Sequence, residues 1–234
     1  MLDVSMMEQM EKVLEQAARL QKLVPEAVLG GGSAVYLYAE HRYSLYHDHI
    51  VSDLEERFDL ILESLEREGD WVTNRVIYGK IILGELGGIE AGIRQLIRKK
   101  ALEFQTIQIG GLSLNVPTIE EITRIKAFLI IKRNQMRDCL DFAALCDKIG
   151  IPASAKIIEN LDEYYTDDTK GIAEKEKPAL SQLLKQLCNP QPKDSRSIRQ
   201  LQDYKGVTGK WKDWDYSVEI CRSVARESMG KENA

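Results

Sequence analysis

The stretch AVLGGGSAVYLYA, residues 27–39, decides the fold of the N-terminal half. A short apolar run leads into three glycines and Ser33, and a helical pattern begins at once. Glycines let the backbone turn tightly and approach a ligand closely, and the first N–H groups of a helix point outward with the positive end of the helix dipole. The stretch therefore predicts a strand, a glycine turn and a helix. Gly31, Gly32 and Ser33 form either a phosphate-binding corner or a plain structural turn.

The apolar residues on both sides of this stretch follow helix and strand periods in alternation. Two glycine pairs, Gly87-Gly88 and Gly110-Gly111, each separate two β-rich runs and so predict hairpins. In chain order the patterns predict a helix over 5–23, strands over 27–29 and 44–51, a helix over 53–67, and strands over 75–86, 89–97, 104–109 and 112–116. The N-terminal half is therefore predicted to be a sheet with helices.

The character of the sequence changes after Pro117. Thr118 and the acids that follow it are typical of a capped helix start, and helical patterns then continue almost to the end of the chain. We therefore expect an α/β (α+β) domain over 1–117 and a helical domain over 118–234.

Composition limits the classes of function. The formal net charge of −5 argues against a surface that coats nucleic acid generally, because such binding needs a basic face to release counterions from phosphates. A local basic cleft stays open as an alternative. The first ten residues lack the basic start and apolar run of a secretory signal, and no stretch has the roughly 18 apolar residues of a membrane span. The four cysteines form no CxxC or zinc-finger spacing. We expect a soluble, cytoplasmic protein with reduced thiols and no membrane partner.

Two motifs carry a resemblance to a known family. Residues 41–49 read HRYSLYHDH, and residues 126–141 read KAFLIIKRNQMRDCLD. The order strand, Gly-Gly-Ser, helix, His-Arg-x-Ser and an acid on the next strand resembles the AbiEii/AbiGii toxin-like family of the bacterial nucleotidyltransferase superfamily. The second motif resembles that family's lysine, arginine and Arg-Asp-x-x-Asp block. Together with the stretch between them, the motifs cover about residues 25–150.

The resemblance implies a fold and an activity. The fold is a nucleotidyltransferase-like mixed sheet with flanking helices, followed by a helical C-terminal half. The activity is transfer of a nucleoside monophosphate from a nucleoside triphosphate to a hydroxyl acceptor on RNA or protein, as the toxin of a toxin–antitoxin pair. The resemblance further implies Mg²⁺ or Mn²⁺ as cofactor and an antitoxin, or another protein encoded nearby, as partner.

The resemblance also implies site residues. Asp48 corresponds to a catalytic metal ligand, and Lys126 to a catalytic cation near the phosphates. The residues implied to bind the nucleotide are Gly31, Gly32, Ser33, Arg42, Ser44, Lys126 and Arg133. Solvated positions are the plain alternative for Lys126 and Arg133.

Two acids of the second motif are interpreted as structural. Asp138 is placed to cap a helix start. Asp138 and Asp141 are also placed to pair with Arg133 or Arg137.

The metal site departs from the family pattern. The family carries two aspartates two residues apart on the second strand, and the first of those positions holds Tyr46 here. A third carboxylate is expected on a neighbouring strand, where residues 93–96 read IRQL. A neutral phenol is a poor replacement for a hard anionic ligand of Mg²⁺. A catalytically inactive module of the same fold, which binds a nucleotide or a partner, is therefore the alternative function.

A different metal site is open to His41, His47 and His49, because two imidazoles favour zinc, manganese or nickel. On a regular strand, however, His47 and His49 face away from Asp48. The plain alternative is that His49 packs behind the strand and that the other two make surface hydrogen bonds.

The helical tail carries two tryptophans, Trp211 and Trp214, among charged residues. They form either a surface for a partner protein or the anchor that docks a terminal segment on the body of the protein.

Overall fold

The chain folds as two compact units in the computed structural model, which describes residues 4–98, 100–165, 178–204 and 206–231. The sheet unit takes the residues up to 37 together with 43–97 and 101–118. The helical unit takes 38–42, 98–100 and the residues from 119 onward. Two short pieces of the N-terminal half thus belong to the helical unit.

The sheet unit contains one mixed sheet and one separate hairpin. Five strands of the described residues form the sheet in the order β1-β2-β5-β4-β3, in which β2 and β5 are parallel and the other neighbours are antiparallel. Strands β6 and β7 pair with each other. The elements are α1 (Val4–Leu23), β1 (Val28–Leu29), α2 (Gly31–Ala39), β2 (His47–Val51), α3 (Phe58–Glu66), β3 (Trp71–Ile77), β4 (Ile81–Leu86), β5 (Ile89–Gln95), β6 (Phe104–Ile109) and β7 (Leu112–Pro117). The predicted mixed sheet with flanking helices is confirmed.

The core of the sheet unit lies between one face of the sheet and the helices α1 and α3. Leu20 of α1 and Ile61 of α3 pack with Ile82, Leu86 and Ile93 of the sheet, and all five are almost fully buried. Burying one such side chain contributes about 1.5–3 kcal/mol. Because side chains alternate along a strand, this core fixes which residues point to the opposite face.

Two element boundaries predicted from the pattern were wrong. The run 75–86, predicted as one strand, contains the end of β3, a turn and β4, and Gly79 in that turn has φ +65°. The apolar residues on both sides of Gly79 conceal the turn from a pattern-based prediction. The helix predicted from residue 53 begins only at Phe58.

The helical unit follows β7 directly. Its elements are α4 (Ile119–Arg133), α5 (Met136–Ile149), α6 (Ile151–Glu159), α7 (Leu161–Tyr165), α8 (Ala179–Cys188), α9 (Ser195–Arg199), two 3₁₀ turns (Leu201–Asp203 and Gly209–Lys212) and α10 (Trp214–Lys231). Side chains from α4, α5, α8 and α10 form its core, with Phe128, Phe142, Leu183 and Val224 among the buried members. The predicted helical C-terminal region is confirmed.

The cysteines are free thiols, and Cys139, Cys146 and Cys221 are buried in helices of this unit. Across the part of the chain that the structure describes, no helix combines the length and the apolar character needed to cross a bilayer.

Candidate functional site

The glycine turn and Asp48 lie side by side in the sheet unit. Gly30 N donates to Asp48 O at 2.7 Å, which joins the end of β1 to β2. Helix α2 then begins at Gly31, whose φ of +65° is a conformation that residues with a side chain rarely adopt. A Cβ placed on Gly31 would lie 3.4 Å from Asp48 Oδ2. The start of α2 and the Asp48 carboxylate therefore border the same space, which we call the glycine corner.

The register between β2 and β5 places a second glycine and a cation beside Asp48. Gly92 is the partner of Asp48, and Arg94 is the partner of Ile50. Asp48, Gly92 and Arg94 therefore lie on the face of the sheet opposite the core. A Cβ on Gly92 would overlap Asp48 Oδ1. Arg94 Nε lies 3.4 Å from Asp48 Oδ1, with 45% of the arginine side chain and 23% of the aspartate side chain exposed. A pair this exposed adds little stability, so its charges stay accessible to a ligand.

The residues around Asp48 do not fit the two-metal centre that the family resemblance implies. Tyr46 holds the position of the first aspartate, and Arg94 brings a positive charge to the one carboxylate present. Glu90 lies on the same sheet face as Asp48, and its partner on β4 is Glu85. Glu90 is two residues from Gly92 along β5, however, so their backbones are about 7 Å apart. Over the described residues, no three acids, histidines or cysteines are grouped closely enough to hold a metal ion.

Both serines implied to bind the nucleotide instead contact the backbone of Tyr46. Ser33 Oγ donates to Tyr46 O at 2.6 Å, and Ser44 Oγ donates to the same oxygen at 2.9 Å. These two hydrogen bonds fix the loop that leads into β2. The serines position Asp48 through that loop, whereas Gly31 and Gly32 supply backbone N–H groups in the first turn of α2, where Gly31 is partly exposed and Gly32 is buried.

His47 and His49 lie on the core face of β2, fully buried and with Nδ1 of His47 3.0 Å from Nε2 of His49. Gln21 Nε2 lies 3.4 Å from His49 Nδ1. The orientation of the Gln21 amide is set by Asn115, whose N donates to Gln21 Oε1 at 2.6 Å and whose O accepts from Gln21 Nε2 at 3.0 Å. His49 Nδ1 therefore accepts a hydrogen bond from Gln21 Nε2, and His49 carries its own proton on Nε2.

The same series of hydrogen bonds determines which ring nitrogen of His47 carries the proton. His49 Nε2 donates to His47 Nδ1, so the proton of His47 lies on Nε2, a buried atom that has no hydrogen-bond partner within the described residues. Burial lowers the pKa of His47 to about 4 and the pKa of His49 well below its usual value, so both rings are neutral near pH 7. The interpretation that His49 packs behind the strand is confirmed.

His41 does not join this pair, because it belongs to the helical unit. There its Nε2 lies 2.7 Å from Asp141 Oδ1, and its side chain is fully buried. The histidine metal site finds no support in the described residues. The surface hydrogen bonds predicted for His41 and His47 were wrong, because both rings are enclosed by the core that their neighbours build.

Asp141 is the centre of a buried cluster in the helical unit. Its carboxylate accepts from Arg42 Nε at 2.7 Å and Arg42 Nη2 at 2.8 Å, and Lys126 Nζ lies 2.7 Å away. Burial alone would raise the pKa of Asp141, but Arg42 and Lys126 hold it well below its usual value. The structure thus brings together Arg42 and Lys126, two residues implied to bind the nucleotide, and places both against an aspartate.

Asp138 forms a second pair beside this cluster. Arg133 Nε lies 2.5 Å from Asp138 Oδ2, and Arg133 Nη2 lies 2.6 Å from Asp138 Oδ1. The pairing predicted between Asp138 and Arg133 is confirmed. The pairing predicted for Asp141 was wrong, because its partners are Lys126 and two residues about 100 positions earlier, His41 and Arg42, which a local pattern does not show.

Sequence reasoning missed Gly92, Arg94 and Gln21 as members of the site. Arg94 was noted as a cation on the strand where an acid was expected, but it was not assigned to the site. The signal for Gly92 was an isolated glycine within a β-rich run, which often marks a close approach of another group.

Sequence comparisons match this chain to a part of much longer proteins. The chain matches no protein-family model. It is 30% identical over 129 residues to the mycolic acid-containing lipids exporter MmpL11 of Mycolicibacterium smegmatis, covering 55% of this chain and 13% of that protein. It is 31% identical over 147 residues to the heme uptake protein MmpL11 of Mycobacterium tuberculosis, covering 60% of this chain and 14% of that protein. The chain therefore spans about one-seventh of the length of these curated relatives.

Two solved structures are similar to nearly the whole chain or most of it. A candidate nucleotidyltransferase from H. pylori matches with a TM-score of 0.50 and 14% identity, covering 94% of this chain and 97% of that one. A nucleotidyltransferase-like protein from Paracoccidioides brasiliensis matches with a TM-score of 0.46 and 15% identity, covering 76% and 93%. The first of these shows the fold and nothing finer: this chain has a nucleotidyltransferase-like fold, a five-stranded mixed sheet with flanking helices followed by a helical C-terminal region.

Proposed function

We propose that this protein binds a nucleoside triphosphate at the glycine corner and that Arg94, instead of a pair of metal ions, supplies the positive charge that faces the phosphates. The observation that carries the proposal is the position of Arg94 Nε, 3.4 Å from Asp48 Oδ1 and on the same face as the start of α2. The protein is accordingly a nucleotide-binding module built on a transferase fold.

The backbone at the corner suits phosphate oxygens. Gly31 and Gly32 carry no side chain, so an anion at the partly exposed Gly31 meets the start of α2 with no side chain of these two residues in between. The positive end of the helix dipole adds to the attraction within the first turn. These donors need no metal ion and are present whatever the state of Asp48.

Arg94 suits the same anion. A guanidinium group presents a planar fork of donors that matches two phosphate oxygens, and such charge-assisted bonds are about twice as strong as neutral ones. Asp48 holds the arginine toward the corner in the absence of a ligand. Because Arg94 is long and nearly half exposed, it can turn from Asp48 to a phosphate without moving the sheet.

The transferase remains the second candidate. Transfer of a nucleoside monophosphate to RNA or protein in the manner of a toxin, with Mg²⁺ or Mn²⁺ and an antitoxin partner, is what the family resemblance implies. The feature that favours it is that Glu90 and Glu85 share the sheet face of Asp48. Its weakness is that Arg94 already neutralises the one carboxylate nearest the corner.

Isothermal titration with each of the four ribonucleoside triphosphates, with and without Mg²⁺, tests the proposal. We expect binding that is the same with and without the metal, and a loss of about tenfold or more in Arg94→Gln. Arg75→Gln is the matched control, because Arg75 is an exposed arginine on the same sheet face, beside Leu83 of β4. Binding that requires Mg²⁺, or transfer of label from an α-labelled triphosphate that disappears in Asp48→Ala, would establish the transferase instead.

A further inference from the structure

An open cavity of about 370 Å³ lies in the helical unit. Helix α9, the two 3₁₀ turns and the start of α10 border it. Its lining includes Arg199, Gln202, Lys212, Asp213 and Trp214. The volume falls in the range of about 300–1,000 Å³ that small-molecule sites occupy.

The two tryptophans of the tail have different environments, and only one of them lines the cavity. Trp211 is buried in the core, and its ring packs edge-on against Tyr216 with centroids 5.3 Å apart. Trp211 is therefore an anchor of the terminal segment. Trp214 is only half-buried, packs one side on the core and borders the cavity. An indole in that position offers a ring surface to a ligand.

The charge around the cavity is locally positive in a chain with a formal net charge of −5. Arg199 and Lys212 are both exposed, and neither has a hydrogen-bond or ion-pair partner among the residues that the structure describes. Asp213 is the acid in the lining, and its Oδ1 accepts from Asp215 N at 3.0 Å. By contrast, the nearby Lys210 Nζ is held by Asp147 Oδ2 at 2.6 Å. Within the described residues, two cations therefore line the cavity without an ion pair.

We propose that this cavity binds a nucleotide, with the base stacked on Trp214 and the phosphate held by Arg199 and Lys212. Aromatic side chains bind the flat face of any base, and a neighbouring arginine or lysine supplies the charge for the phosphate. Gln202 and Asp213 offer donor and acceptor groups to the base edge. The site is built from the helical unit alone and does not depend on the glycine corner.

The same chemistry is found in a free nucleotide and in one nucleotide of a single-stranded RNA. Uridine monophosphate, hexauridylate and inorganic phosphate are therefore the probes, added to the full chain. The three tryptophans give three indole N–H signals in a nitrogen–proton correlation spectrum. We expect uridine monophosphate to shift the Trp214 signal and to leave Trp71, whose Nε1 donates to Thr73 Oγ1, unchanged. Trp214 unmoved at saturating nucleotide would overturn the assignment.

Affinity measurements distinguish a free nucleotide from an RNA strand, and a nucleotide from other anions. Hexauridylate that binds at least about tenfold more tightly than the mononucleotide identifies an RNA strand as the source, and equal affinity identifies the free nucleotide. Inorganic phosphate that binds as tightly as the mononucleotide would show that the base plays no part and would overturn the proposal. Equal binding of hexaglutamate would do so too, because it would point to an acidic peptide.

The variants test the residues. The double change Arg199→Gln and Lys212→Gln should weaken uridine monophosphate binding by about tenfold or more, because both counter-charges for the phosphate are removed. The control is Arg196→Gln, an exposed arginine on the same helix that does not line the cavity, and it should leave affinity within about twofold. Both changes lie on the surface, so the fold is retained. An unchanged affinity in the double variant would exclude the site.

Discussion

His49 Nε2 donates to His47 Nδ1 at 3.0 Å, on the core face of the same strand that presents Asp48 to the opposite face. The pair is fully buried and is oriented by Gln21. Two neutral imidazoles thus pack in the core on the opposite face of the strand that bears the candidate site.

The first prediction concerns the protons of this pair. Because Asn115 sets the Gln21 amide, both histidines should carry their proton on Nε2 at pH 7.5. Long-range nitrogen–proton NMR spectra distinguish the two tautomers directly. A proton on Nδ1 of His49 would contradict the hydrogen-bond chain, since it would then face the amide protons of Gln21.

The second prediction concerns acid stability. Burial lowers the pKa of His47 from 6.5 to about 4 and lowers the pKa of His49 well below its usual value, so the unfolded chain binds protons that the folded chain does not. The free energy of unfolding should therefore be highest above pH 6.5 and fall as the pH drops from 6.5 toward 4. Each histidine changes the unfolding equilibrium constant by up to about tenfold per pH unit.

Urea unfolding across this pH range measures the effect. The double change His47→Gln and His49→Gln should flatten the profile, with a remainder from His41, whose pKa is also lowered by burial. The buried Asp141, with a lowered pKa, acts only below its usual value of 3.8 and so does not enter this window. A slope unchanged in the double variant would show that the pair is not the origin.

The third prediction concerns the Asp141 cluster. Asp141→Asn leaves Arg42 and Lys126 buried without their shared counterion, so it should lower the free energy of unfolding by about 3–5 kcal/mol. Asp147→Asn is the control, because Asp147 pairs with the exposed Lys210 and should cost about 1 kcal/mol or less. Full stability of Asp141→Asn with weakened nucleotide binding would instead assign the cluster to ligand binding.

The fourth prediction restores an acid to the site. Tyr46→Asp places a second carboxylate two residues before Asp48, and two hard anionic ligands favour Mg²⁺ far more than one. Nucleotide binding should then become stronger in the presence of Mg²⁺, as measured by titration calorimetry. Binding no better than in the unchanged protein would show that Tyr46 does not hold the position that the family resemblance implies.

The fifth prediction concerns the space beside Asp48. Gly92→Ala places a methyl group against Asp48 Oδ1, so the carboxylate must move and the site should lose its pairing with Arg94. We expect altered triphosphate affinity with little loss of stability, because the overlapped atom is the end of a partly exposed side chain that can turn away. Gly69→Ala is the control, because a Cβ there meets no atom within 4 Å. An unchanged triphosphate affinity in Gly92→Ala would show that Asp48 is not part of the binding site.

The sequence by itself determined the local elements of this protein. Residues 27–39 specify a strand, a glycine turn and a helix, and the pairs Gly87-Gly88 and Gly110-Gly111 specify hairpins, because each depends on neighbouring residues and on backbone conformations that glycine adopts at little cost. The departure at Tyr46 was also visible in the sequence, from residues 41–49 set against the motif of the family that they resemble.

Only the tertiary structure decided which distant side chains meet. The parallel register of β2 on β5 brings Gly92 and Arg94 to Asp48, although more than 40 residues separate them. Asp141 contacts His41 and Arg42, which lie about 100 positions away in the sequence. Such pairings arise from packing and burial of the whole unit, which no local period encodes. They determine whether a charge in the sequence becomes a metal ligand, a phosphate contact or a buried ion pair.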